Sequence, residues 1–166
     1  MHATMQAKEE QAVVHSTYSI ERSYPATPER MFAAFSDPVK KQRWFAAKGA
    51  SSDVESFHMD FRVGGIEKTV RRFKPGSPFP GVALTNDTTY QDIVTNRRIV
   101  LAYAMSLGEK RISASLATFE LLQAEGGTKL VFTDQVAFFE GADGPDMRKE
   151  GWTKILESLG AELARE

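Results

Sequence analysis

The sequence predicts an α+β domain in which an antiparallel sheet of about six to seven strands faces one long C-terminal helix. Three observations carry this. From Asp53 to Phe139 the chain reads as strand after strand, separated by short Gly, Asn and Pro turns. Two short proline-led helices stand between the first strand and that run. The closing segment places Trp152, Ile155, Leu156, Leu159 and Leu163 at 3.6-residue spacing, the stripe of a helix with one buried face.

In chain order, residues 1–12 read as a tail, because Lys8-Glu9-Glu10-Gln11 offers nothing to bury. The remainder, 13–166, reads as one domain. Val13 to Tyr24 alternates as a strand and Pro25 ends it. Thr27 is a good N-cap, Pro28 suits the first helical position and Glu29 the first turn. Met31, Phe32 and Phe35 give that helix an apolar face. Asp37-Pro38 restarts the chain as a second short helix carrying Trp44 and Phe45. Val54 to Phe57 and Ile66 to Phe73 are strands; Pro75 to Gly81 is a loop. Val82 to Val94, Arg98 to Met105, Ile112 to Leu122 and Lys129 to Phe139 are longer strands. Their turns, at Thr95-Asn96, Gly108-Glu109 and Glu125-Gly126-Gly127, are short enough to favour antiparallel pairing. Gly141 to Asp146 breaks the pattern, and Pro145 or Asp146 opens the last helix.

Composition narrows the function classes. Lys plus Arg (21) and Asp plus Glu (22) nearly cancel, so no bulk field draws nucleic acid or an anionic membrane. The paired bases Lys40-Lys41, Arg71-Arg72 and Arg97-Arg98 are scattered and read as solvated surface. The absence of cysteine excludes disulfides, thiolate metal sites and cysteine nucleophiles. No apolar run is long enough to span a bilayer, and the N-terminus lacks a secretory core, so a soluble cytoplasmic protein is expected.

Few residues offer chemistry. His2, His15 and His58 lie on separate early segments, so no metal site and no cofactor are expected. Gly64-Gly65 precedes a strand rather than a helix, which reads as a bend and not as a phosphate cradle. Asp134 stands out: on its strand it shares a face with Leu130, Phe132, Val136 and Phe138. Such a carboxylate either anchors a polar group or acts as a base with a raised pKa, or it is simply paired with an arginine or a backbone amide. Glu67 and Glu120 are weaker candidates that can point to solvent.

Several blocks stand in a fixed order: Arg22 with Pro25-Ala26-Thr27-Pro28-Glu29, Asp37-Pro38, Arg43-Trp44-Phe45, Phe61-Arg62-Val63-Gly64-Gly65 and Gly127-Thr128-Lys129-Leu130. With these, the chain resembles the Bet v 1-like, START-related helix-grip superfamily, and within it the domain named after the activator of Hsp90 ATPase. Phe132 to Phe138, Gly141 and Arg148 to Gly151 resemble a bacterial subgroup. The resemblance implies a curved antiparallel sheet gripping the C-terminal helix, with a cavity between them. Family members are ligand carriers, cyclase-like enzymes or a chaperone regulator. The last of these has a separate N-terminal domain with no counterpart in this chain.

Three functions follow as expectations. The first is binding of a small, largely hydrophobic ligand in the cavity, with apolar walls supplying affinity and a few polar groups orientation. The residues expected to line it are Trp44, Phe57, Met59, Phe73, Thr88, Tyr90, Tyr103, Met105, Phe119, Phe132, Asp134, Trp152 and Leu156. The second is an enzyme of the cyclase, dehydratase or hydrolase kind with Asp134 as acid or base. The third is a stress-response interaction module whose partner is the bacterial Hsp90 homologue. Neither nucleic acid nor membrane is expected as a partner, and a homodimer stays open.

Overall fold

A computed structural model describes residues 12–165. The N-terminal tail assignment therefore lies almost wholly outside the described residues, as does His2. The chain runs β1 (Val14–Tyr24), α1 (Pro28–Ser36), α2 (Pro38–Phe45), β2 (Ser52–Met59), β3 (Ile66–Phe73), β4 (Ala83–Val94), β5 (Arg98–Leu107), β6 (Lys110–Ala124), β7 (Gly127–Phe138) and α3 (Pro145–Leu163). The seven strands form one curved antiparallel sheet in the order β1-β7-β6-β5-β4-β3-β2. Every pairing but β1 with β7 joins consecutive strands, as short turns require. Irregularities at Val54/Ser56, Tyr90/Asp92 and Met105/Ser106 interrupt the register, the kind of feature that bends a strand.

The helices begin as their local chemistry dictates. Thr27 Oγ1 accepts the Arg30 N–H, and Pro28 occupies the first turn. Asp37 closes α1 with its own N–H to the Ala33 carbonyl. Its carboxylate then caps α2 by accepting from Val39 and Lys40. Pro145 opens α3 after Gly144, whose φ of 85° suits glycine. The 19 residues of α3 lie across the sheet with Trp152, Leu156, Leu159 and Leu163 buried. These four meet Phe35, Trp44, Phe119, Leu130 and Phe132 in a single core.

The ordered sequence blocks turn out to be fasteners. Thr128 Oγ1 donates to the Ala26 carbonyl at 2.6 Å, tying the β6–β7 hairpin to the end of β1. A Cβ on Gly127 would lie 2.0 Å from the Tyr24 carbonyl oxygen, so only glycine fits there. Arg43 forks onto Glu162 of α3, and the Trp44 indole N–H donates to the Ala34 carbonyl. Gly64 and Gly65 exchange backbone hydrogen bonds with Tyr90, which makes this pair a turn into β3.

Two surface expectations require correction. Lys41 is buried, not solvated: its ammonium meets the Glu67 carboxylate at 3.2 Å and stands over the Phe35, Trp44 and Phe45 rings. Glu67 is likewise buried rather than solvent-facing. Both follow from an inversion of β3, where Glu67 and Thr69 point inward and Ile66 is 55% exposed. Hydrophobic alternation cannot orient a strand whose polar residues are the ones satisfied inside.

Candidate functional site

The inner sheet face meets the first half of α3 around two polar groups and one cavity. Asp134, on β7 beside the edge strand β1, is fully buried. Its Oδ2 accepts hydrogen bonds from the Tyr18 and Tyr103 hydroxyls, each at 2.6 Å, while Oδ1 has no partner among the described residues. Tyr18 stands opposite Asp134 in the β1–β7 register, and Tyr103 reaches it from β5. The Tyr103 hydroxyl in turn accepts from Arg148 Nη1 and Trp152 Nε1, both at 3.2 Å. Arg148 is held by a two-point ion pair with Asp143, at 2.7 and 2.8 Å, and also donates to Ser113.

Burial shapes the electrostatics. It raises the Asp134 carboxyl above its ordinary value, against the opposing pull of the two tyrosine hydroxyls and Arg148. Burial and the adjacent Asp134 charge hold Tyr18 and Tyr103 well above the usual phenol range. Burial alone would lower Arg148, but the bonds to Asp143 leave it above its ordinary value.

Beside this network lies a cavity of about 190 Å³. Phe45, Leu84, Met105, Trp152 and Ile155 form its apolar wall, and Thr69, Arg71, Asn86, Tyr103, Asp143 and Arg148 its polar points. Met147 and Gly151 complete the lining. A Cβ on Gly151 would meet no atom within 4 Å, so α3 leaves open space at that position.

Residues 25–164 match the family described as Activator of Hsp90 ATPase homolog 1-like protein. The chain belongs to this family. An uncharacterized protein of Rhizobium leguminosarum has a similar solved structure, 40% identical, covering 94% of this chain and 99% of that one at a TM-score of 0.86. The Mll3558 protein of Rhizobium loti is 44% identical over 91% of this chain and 99% of its own, with a TM-score of 0.78. An AHSA1-like protein of Aeromonas hydrophila, 20% identical over 90% of this chain and 92% of its own, shares the fold at a TM-score of 0.64. Among curated proteins none matches the chain.

Of the residues expected to line the cavity, the structure of this family member brings Tyr103, Met105 and Trp152 to it. Asp134 touches it only through Tyr103. Trp44, Tyr90, Phe119, Phe132 and Leu156 are core instead: their rings and branches fill the space between helices and sheet against one another. Phe57 packs at the rim of that core, Phe73 packs on Phe79, and Met59 pairs with Glu67 at the β2 edge. Thr88 is buried and donates to Asn86.

The wall residues missed by the sequence reading had signals of their own. Arg148, Gly151 and Ile155 fall at i, i+3 and i+7, on the face of α3 that carries the expected Trp152. Thr69 and Arg71 share the β3 face with Glu67. Glu67 and Arg71 read as solvent chemistry because burial, not residue type, defines this face.

Proposed function

We propose that this domain binds a small, largely apolar ligand in the cavity beneath the N-terminal half of α3. The observation that carries the reading is the apolar-walled space of about 190 Å³ lined by Met105, Trp152 and Ile155. Gly151 supports it. A glycine inside a helix costs roughly 0.5–1 kcal/mol relative to alanine, and here it lines the cavity where a Cβ would meet no atom within 4 Å. The polar network supplies a fixed floor: Tyr103 is locked by three hydrogen bonds and cannot turn away from the space it lines.

The test is a titration with toluene, followed by amide NMR shifts and calorimetry. Saturable shifts around Met105 and Trp152 are expected in the parent protein. Gly151→Leu should abolish them while leaving thermal stability unchanged or higher. Absence of saturable binding, or binding indifferent to Gly151→Leu, would overturn the reading.

A second reading has one specific observation behind it, the raised Asp134 carboxyl one hydroxyl away from the cavity. A cyclase-, dehydratase- or hydrolase-type reaction would then move a proton between ligand and Asp134 through Tyr103. The strongly raised Tyr103 is a poor acid near neutral pH, which favours binding over turnover.

A further inference from the structure

The cavity carries two guanidinium groups whose surroundings differ. Arg148, on the β6 side where it donates to Ser113, is neutralised by the two-point pair with Asp143. Asp143 itself lines the cavity, and Asp134 lies just behind Tyr103, so an anion is repelled there.

Arg71, on β3, has no such partner. Its Nη1 and Nη2 donate to the Ala47 and Phe45 carbonyls at 2.8 and 3.0 Å, at the C-terminal end of α2. No carboxylate among the described residues lies within ion-pair distance of it. A guanidinium has five N–H donors, so this one retains capacity beyond its two backbone bonds. Burial lowers its pKa, the mark of a charge short of compensation.

Two neighbours point the same way. Thr69, a residue only 4% exposed, lines the cavity, and its buried hydroxyl has no hydrogen-bond partner among the described residues. Asn86, directly opposite Thr69 in the β3–β4 register, also lines it. A buried hydroxyl left unpaired is costly, and a half-buried cation without a counter-charge is short of compensation. A carboxylate placed among these three groups removes both costs at once.

We propose that the ligand carries a carboxylate, held by Arg71, Thr69 and Asn86, with its apolar body against Met105, Trp152 and Ile155. Size narrows the class further. An apolar cavity of about 150 Å³ accommodates benzene. The 190 Å³ here therefore suits a single ring bearing a carboxylate better than a long acyl chain. The proposal rests on the cavity reading above.

The experiment compares benzoate, benzyl alcohol and toluene by calorimetry and NMR at neutral pH. Benzoate is expected to bind about tenfold or more tightly than benzyl alcohol, the scale of one charge-assisted pairing. Arg71→Met should erase that preference and leave toluene binding in place. Because Arg71 also ties down the end of α2, the near-isosteric Thr69→Val serves as the second variant. It should weaken benzoate several-fold without altering toluene. Equal affinity for the three probes, or a benzoate affinity that neither Arg71→Met nor Thr69→Val weakens, overturns the carboxylate proposal and leaves the cavity reading standing. Failure of every probe to bind overturns both.

Discussion

Two buried carboxylates in this molecule begin alike and end differently. Glu67 and Asp134 each accept a tyrosine hydroxyl at 2.6 Å, from Tyr90 and Tyr103 respectively. Glu67 is then closed by the Lys41 ammonium, itself packed over three aromatic rings, and the cluster sits inside the core. Among the described residues Asp134 has no cation in direct contact; Arg148 reaches it only across the Tyr103 hydroxyl, and one carboxylate oxygen remains unpartnered. A carboxylate in direct contact with an ammonium holds structure. A carboxylate whose cation stands one hydroxyl away, next to a cavity, keeps its protonation state sensitive to what fills that cavity.

The largest effect that sharpens this contrast belongs to Lys41→Met. It strands Glu67 as an uncompensated buried charge, and the expected loss is about 3–5 kcal/mol in urea unfolding. Lys41→Met combined with Glu67→Gln removes both charges yet keeps an acceptor for Tyr90, and should recover most of that loss. If the double variant is no more stable than the single, the pair is not the closed unit described.

A smaller effect is expected for Asp134→Asn, about 1–2 kcal/mol near pH 4, because the new amide N–H lacks an acceptor. Its pH dependence carries the information. Asp134 has a folded-state pKa above its unfolded value, so its contribution is full below the unfolded value near 3.9. That contribution is lost as pH rises through the folded value. The stability gap between parent and Asp134→Asn should therefore narrow as pH climbs above about 4. A gap that widens with pH would place a stabilised anion at Asp134 and break the comparison.

The smallest effect at working pH concerns the phenols. All 4 tyrosines of the chain are raised, chiefly by burial, with Tyr24 pushed up to about 12. Their neutral forms stabilise the fold fully below about pH 10 and lose that contribution above it. Tyrosinate absorbance should stay flat to about pH 10 and then rise together with loss of the fold. An early ionisation of one phenol near pH 9–10 would identify a tyrosine far more open than its contacts show.

The fold was readable because its determinants are local. Thr27, Pro28 and Asp37-Pro38 start helices by their own hydrogen-bonding chemistry. The turn at Gly108-Glu109 dictates its hairpin, and the Trp152–Leu163 stripe dictates a buried helix face. Asp134 was likewise visible as a carboxylate in an apolar row. Its pairing to Tyr18 and Tyr103 was not, since those partners lie 116 and 31 residues away.

Arg71, Thr69 and Lys41 mark the boundary between the two kinds of knowledge. By residue type and by pattern they belong on the surface. Only tertiary contacts turned them inward, Lys41 to Glu67 and Arg71 to the Phe45 and Ala47 carbonyls among them, because long-range partners can satisfy a polar group that its own segment cannot. The sequence by itself determined the element order, the antiparallel sheet and the helix that closes it. Tertiary structure alone decided which polar groups face the cavity, because burial and partner choice depend on contacts between strands and helices far apart in the chain.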